Sequence, residues 1–181
     1  MIFKRTPLPD AYLIQVERRE DERGYFGRFF CSRELKQHGI DFNIAQSNIS
    51  YNKKKGTLRG MHLQLAPNEE AKLVHCVSGS IYDVIIDMRE NSPTYCQWFG
   101  TELSAENGIM IYIPKGFAHG FITLANDTRI LYQMSQFYAP GAEKAFRWND
   151  PFFNIQWPIE PQVMSDKDTE HPMFQPAVLP T

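Results

Sequence analysis

Hydrophobic and polar positions alternate along most of the chain with the period of two that marks a half-buried strand. Residues 72–88 (KLVHCVSGSIYDVIIDM), 96–103 (CQWFGTEL), 108–114 (GIMIYIP), 120–125 (GFITLA) and 129–138 (RILYQMSQFY) carry this pattern and are rich in β-branched and aromatic side chains. Turn signals punctuate them at Ser78-Gly79-Ser80, Asn91-Ser92-Pro93, Glu106-Asn107-Gly108 and Asn126-Asp127. Short strands so regularly spaced predict an all-β protein, and their number favours a double-sheet jelly roll with its core over about residues 45–140. Helix is scarce. Residues 32–39 (SRELKQHG) read as one short peripheral helix with Ser32 as N-cap and Gly39 as terminator. The stretch 141–181, rich in proline, is expected to wrap the outside.

Composition narrows the function classes. A chain of 181 residues fits one domain, and 43% hydrophobic with 22% charged residues is enough to bury a core. A formal net charge of −2 excludes a broadly basic nucleic-acid surface but leaves room for a local anion pocket. Cys31, Cys76 and Cys96 form no C-x-x-C pair, so free thiols in a reducing compartment are expected. The opening MIFKRTPLPD has no apolar signal core, and no run approaches the roughly 18 apolar residues of a membrane span. These readings predict a cytoplasmic protein with neither membrane nor nucleic acid as partner.

One strand breaks its own pattern. In GTLRGMHLQ (residues 56–64), strict alternation places Leu58, Gly60, His62 and Gln64 on one face and Thr57, Arg59, Met61 and Leu63 on the other. His62 then points inward, either as a hydrogen-bonded core histidine or as a reactive group. Arg59 is sent to the opposite side, as a surface residue, unless Gly60 marks a bulge that re-aims it. Lys72 shares a face with Val74 and Cys76, and Tyr132 with Ile130 and Met134. Singly, each is an ordinary rim or core residue. Together, an imidazole, an ammonium and a phenol on inward faces would supply a base, a cation for developing negative charge and a weak acid.

A second motif suggests the superfamily. Gly108, Pro114, Gly116 and His119 follow the spacing G-x5-P-x-G-x-x-H, which resembles the second cupin motif. The first cupin motif supplies H-x-H and a glutamate, whereas this chain has His62-Leu63-Gln64 followed by Glu69 and Glu70. A transition ion needs several imidazole or carboxylate ligands about 2 Å away, and glutamine is a poor replacement. The expectation is a cupin jelly roll with no metal and no other cofactor. The rival is a metal-dependent oxygenase or isomerase using His62, Glu69 or Glu70, and His119.

A more specific resemblance covers nearly the whole chain. DERGYF (21–26), QSNIS (46–50), GTLRGMHLQ, the segment 71–95, IPKGFAHGF (113–121), LYQMSQFYAP (131–140), WNDP (148–151) and MSDKD (164–168) resemble, in order, the dTDP-4-dehydrorhamnose 3,5-epimerase family. The resemblance implies a homodimeric isomerase that inverts C3 and C5 of a nucleotide-linked 4-keto-6-deoxyhexose, supplying a deoxysugar for surface polysaccharide such as the O-antigen of lipopolysaccharide. It assigns His62 as base, Asp168 as the carboxylate that orients it, Tyr132 as proton donor and Lys72 as the cation near the keto oxygen, with His119 lining the same pocket. It assigns Arg23, Arg59 and Lys167 to the diphosphate part of the ligand, Gln46, Asn48 and Glu143 to polar substrate contacts, Phe26 and Arg28 to the nucleotide region, and Phe137 to stacking on the base.

The chain departs from that family at identifiable places. The motif R-G-x-F-x-E ends here in Arg28, a charge reversal in the nucleotide region that opens a cytidine carrier as an alternative to dTDP. Gln133 stands where a lysine commonly follows the tyrosine, and some relatives invert one carbon only. A reading of another class is a sugar-nucleotide binding module without turnover.

Overall fold

The computed structural model describes residues 1–176 and is an all-β jelly roll. Thirteen strands run β1 (Ile2–Arg5), β2 (Tyr12–Gln15), β3 (Arg18–Asp21), β4 (Gly24–Gly27), β5 (Gln46–Asn52), β6 (Leu58–Gln64), β7 (Lys72–Ser78), β8 (Ser80–Asp87), β9 (Trp98–Ser104), β10 (Ile109–Ile113), β11 (Phe117–Thr123), β12 (Thr128–Met134) and β13 (Glu143–Ala145). Two short helices, α1 (Ser32–Gln37) and α2 (Asp166–Thr169), complete the set. A six-stranded sheet in the order β1-β2-β10-β7-β12-β5 faces a five-stranded sheet in the order β13-β6-β11-β8-β9. The hairpin β3-β4 forms a separate two-stranded sheet.

Period-two alternation sorts the apolar side chains into three layers. Val74 and Cys76 of β7, Ile81 and Ile85 of β8, Ile111 and Ile113 of β10, Phe117 and Phe121 of β11 and Ile130 of β12 fill the space between the sheets. Leu73, Met110 and Tyr112 point the other way, where Leu35 of α1, Ile40 and Phe42 cover the six-stranded sheet. Met61, Leu63, Val84, Ile86 and Ala118 line the outer face of the five-stranded sheet, under Phe146, Phe153, Trp157 and Phe174 of the C-terminal segment. That segment therefore wraps the outside as its composition predicts, although residues 177–181 lie outside the described residues.

Several boundaries differ from the sequence reading. Residues 72–88 form two strands that meet at the turn signalled by Ser78-Gly79-Ser80, with Gly79 at φ +77°, whereas other bounds move. The run 129–138 stops pairing at Met134. Cys31, not Ser32, is the N-cap of α1, and it makes no side-chain cap bond; Gly39 does terminate the turn in the left-handed region. β1 and β2, which precede the expected core, extend the six-stranded sheet, and no periodic signal in four-residue strands announces them.

At the rim Asp87 is fully buried, and its carboxylate accepts bonds from Arg89, Ser92 and Thr94 at 2.5–2.9 Å. Burial alone would raise its pKa, but these donors outweigh that and hold it below the usual carboxylate value. Its contribution to stability is therefore present above the unfolded carboxylate pKa and fades as pH falls through the depressed folded one. Replacing Arg89 by Met is expected to cost about 2–3 kcal/mol at neutral pH in urea unfolding, because the carboxylate stays buried with fewer donors. The deficit should shrink as pH falls and vanish only below the depressed wild-type pKa, where the carboxyl is protonated in either variant.

Candidate active site

The cavity that gathers the predicted reactive groups lies between the two sheets, holds about 380 Å³ and opens at one end of the barrel. Its construction starts with an irregularity in β6. In the ladder with β11, His62 pairs with His119 and Arg59 with Phe121, so three steps along β6 match two along β11. One extra residue sits in β6, and the bulge returns Arg59 to the same face as His62 while Met61 and Leu63 keep to the outer layer. Strict alternation fails at this point, and the expectation that Arg59 faces the opposite side is corrected accordingly. Glycine makes the crossing possible. A Cβ at Gly60, where φ is +124°, would lie 2.5 Å from the Gly120 Cα, and one at Gly120 would lie 2.5 Å from Met61 Sδ.

Two histidine–carboxylate pairs face this space. His62 Nε2 lies 2.7 Å from Asp168 Oδ1, and Asp168 Oδ2 accepts from the Ser165 hydroxyl at 2.9 Å. Ser165 is itself the N-cap of α2, its Oγ accepting the Asp168 backbone N–H. Burial pushes the Asp168 pKa up, but the bond and charge of His62, then the Ser165 hydroxyl, outweigh it, leaving the carboxyl below its ordinary value. It is ionised at neutral pH, so His62 directs Nε2–H at Asp168 and keeps Nδ1 for other work. The second pair is His119 Nε2 and Asp83 Oδ2 at 2.8 Å, both buried.

Opposite stands the six-stranded sheet. Tyr132 of β12 points into the cavity, its ring edge-to-face with His119 at 6.2 Å. Burial raises its pKa well above the free-phenol value, Asp83 adds to this, and Arg59 opposes it, so the phenol keeps its proton. Lys72 of β7 is buried and paired with Glu70 Oε1 at 3.0 Å. Arg59 Nε donates to Asn52 Oδ1 at 2.9 Å, which steadies its guanidinium at the mouth.

Asn48 and Lys167 also line this cavity, whereas other predicted residues do not. Lys167 is ion-paired with Glu143 of β13, which stands beside rather than in the cavity. Gln46 touches the cavity only through Met134 and accepts the Tyr138 N–H. Phe137 is exposed. Arg23 sits at the tip of the β3-β4 hairpin, paired with Asp21, while Phe26 and Arg28 line a separate cavity of about 520 Å³ with Met1, Glu17 and Glu34. Arg28 is held there by Glu34 at 2.6 Å.

The metal-dependent rival does not assemble. Glu70 is committed to Lys72 and Gln64, and His119 to Asp83. Gln64, at the place of the second cupin histidine, donates to Glu70, to the Asn68 carbonyl and to the Phe137 carbonyl, and accepts from the Ala139 N–H. It clamps loops instead of offering a ligand.

With this geometry in place, comparison is informative. The family model for dTDP-4-dehydrorhamnose 3,5-epimerase matches residues 5–176. The chain belongs to that family. A dTDP-4-dehydrorhamnose 3,5-epimerase of Sinorhizobium fredii is 39% identical over 173 residues, covering 95% of this chain and 89% of the relative. The crystal structure of the Bacillus anthracis dTDP-4-dehydrorhamnose 3,5-epimerase with TDP and pyrophosphate bound is 38% identical, with a TM-score of 0.93 over 96% of this chain and 99% of that one. A 3′-monoepimerase of Streptomyces bikiniensis in complex with dTDP-quinovose is 33% identical, with a TM-score of 0.86 over 93% of this chain and 85% of that one.

Asp83 and Ser165, which hold His119 and Asp168, and His171 beside Asp168 are absent from the sequence reading. Asp83 was findable, since it alternates with Ile81 and Ile85 on the inward face of β8. Ser165 had only a cap signal, and His171 none. The glycine crossing gives a direct test: Gly60→Ala should lower stability by at least about 2 kcal/mol, from strain at positive φ and overpacking against Gly120. Thermal unfolding reads this, and a neutral result would mean that β6 and β11 part easily here.

Proposed function

We propose that the protein is a cofactor-independent isomerase that inverts C3 and C5 of a dTDP-linked 4-keto-6-deoxyhexose by removing a proton from one side of the ring and returning one from the other. The observation that carries this reading is the placement of His62 and Tyr132 on opposite sheets facing one cavity. A C–H bond beside a ketone becomes acidic only as its electron pair spreads onto the carbonyl oxygen. In this scheme His62 Nδ1 takes the proton, and the ionised Asp168 stabilises the imidazolium through Nε2–H. Lys72, buried and already fixed by Glu70, supports the enolate oxygen, with the His119–Asp83 pair behind it. Tyr132, still a neutral phenol, delivers a proton from the far side. Arg59, Lys167 and Asn48 hold the diphosphate and polar groups at the mouth.

The carrier is dTDP in this reading, as in the named relatives. Inversion of C3 alone, the activity named for the 33% identical Streptomyces bikiniensis monoepimerase, is the alternative outcome. The working form is a homodimer in the cytoplasm that supplies a surface polysaccharide. In support, Tyr25 and Phe26 are exposed on the projecting β3-β4 hairpin, the three cysteines are free, and no helix among the described residues is long and apolar enough to span a membrane. Arg23, Phe26 and Arg28, remote from their own chain's cavity, serve the nucleotide in the cavity of the second copy.

Deuterium exchange in heavy water tests the chemistry. The wild type should label and invert the keto sugar at C3 and C5; His62→Ala should lose both by about 10²–10⁴-fold, and Tyr132→Phe should lose inversion by a similar factor while keeping exchange. Binding of a keto sugar without any exchange would leave only the binding-module reading. The dimer has its own test: Phe26→Asp should raise KM for the nucleotide sugar about tenfold or more without lowering Tm, since it removes one exposed aromatic contact. Light scattering that gives a monomer at working concentration would overturn the shared site.

A further inference from the structure

His171 is absent from the machinery above, yet its ring approaches the Asp168 side of His62. It follows the last turn of α2, three residues beyond Asp168. Its Nε2 is 3.7 Å from Asp168 Oδ1, the oxygen that His62 Nε2 meets at 2.7 Å, and the two rings stand edge-to-face at 5.9 Å. That nitrogen is buried and has no hydrogen-bond partner. The ligand atoms of His62, Asp168 and His171 all lie within 4.8 Å of one another. An orphaned imidazole nitrogen beside an imidazole and a carboxylate is a half-made coordination sphere.

We infer that His62, Asp168 and His171 bind a divalent ion of the zinc class through two Nε2 atoms and one carboxylate oxygen, and that the bound ion switches the base off. Zinc at about 2.0–2.1 Å from each of four tetrahedral ligands sets its ligands roughly 3.3 Å apart. The two spacings to Asp168, 2.7 and 3.7 Å, bracket that value, and the spacing between the two imidazoles lies within 4.8 Å, so the two rings close on the ion as it binds. Two imidazoles and one carboxylate suit Zn²⁺, Co²⁺ or Ni²⁺, whereas Mg²⁺ and Ca²⁺ require oxygen ligands. This set shares only His62 with the cupin motif and takes nothing from Glu69, Glu70 or His119.

The inhibitory consequence follows from the tautomer and rests on the epimerase reading. A neutral imidazole carries one proton. With Nε2–H directed at Asp168, Nδ1 has the lone pair that accepts a substrate proton. When an ion takes Nε2, the proton must reside on Nδ1, so the nitrogen facing the sugar becomes a donor and abstraction stops. No redox change is involved: the Nε2–H bond breaks, an Nδ1–H bond forms, and the freed Nε2 lone pair binds the ion. The only movement is that proton from one ring nitrogen to the other.

Binding and inhibition are measured separately. Metal-free protein is titrated with Co²⁺ alone, reading its visible absorption, and with Zn²⁺ alone against a chromogenic chelator, in wild type, His171→Ala and His171→Gln. One equivalent should bind the wild type, with at least tenfold weaker binding in both variants, since loss of an outer-shell partner already costs that much. Excess Mg²⁺ should not compete. Equal affinity in wild type and the folded Gln variant, or full competition by Mg²⁺, overturns the site. In the exchange assay, Zn²⁺ should inhibit the wild type at the concentration at which it binds, while His171→Gln retains turnover and resists. Zinc that binds at this site without slowing exchange overturns the switch. If the metal-free wild type exchanges no keto sugar, the epimerase reading fails instead, and cobalt absorption still decides the site.

Discussion

The active-site geometry depends on one extra residue in β6. A β-strand presents every second side chain to one face, so Arg59 and His62, three apart, belong on opposite faces of a regular strand. The bulge against β11 cancels that parity and lets a guanidinium and an imidazole share the cavity. It also brings the backbones of Gly60 and Gly120 so close that neither position has room for a Cβ. Chemistry and packing therefore impose one constraint: the parity change that equips the cavity is available only where both strands are reduced to backbone.

Electrostatics then decides what the cavity can do. Three charge pairs, His62–Asp168, His119–Asp83 and Lys72–Glu70, are largely removed from water. Such pairs contribute little net stability, because desolvation consumes much of the attraction. Their value is positional: each cationic or proton-carrying group is held in orientation by a carboxylate partner. The same low polarity keeps Tyr132 a phenol. A site that must take a proton on one wall and give one from the other needs this contrast between an ionised carboxylate and a neutral phenol. Asp83 runs the other way, its pKa raised by burial despite His119 and Lys72, with one oxygen unpartnered.

Much of this was legible in the chain because alternation in strands is local. Counting alone puts Lys72 on one face with Val74 and Cys76, and Tyr132 with Ile130 and Met134, but leaves Lys72 between rim and interior; both residues line the cavity. Arg59 required knowledge of a bulge, which Gly60 hints at and only a partner strand fixes. Arg23, Phe26 and Arg28 were assigned by motif, and motif order says nothing about where a residue lies relative to the cavity, which none of the three lines. His171 could not be read at all, since its place beside His62 depends on contacts 109 residues apart in sequence. β1 and β2 were missed because four-residue strands are too short for periodicity to register.

The C-terminal segment links stability to catalysis. β6 has one neighbour in β11, and its other edge would be open without residues 143–146 and 163. β13 pairs with Leu63 and His62, Phe146 exchanges backbone bonds with Met61, and Leu58 donates to the Val163 carbonyl. The stretch that closes this edge runs directly into Ser165 and Asp168. The carboxylate paired with His62 is thus carried by the same segment that protects that histidine's strand and supplies Phe146, Phe153, Trp157 and Phe174 to the outer layer. Partial undocking of that segment would expose a strand edge and separate Asp168 from His62 in a single event. The Asp168–His62 bond is therefore only as persistent as the apolar layer behind it, and substitutions at Phe146 or Phe153 act on that bond through the segment's docking.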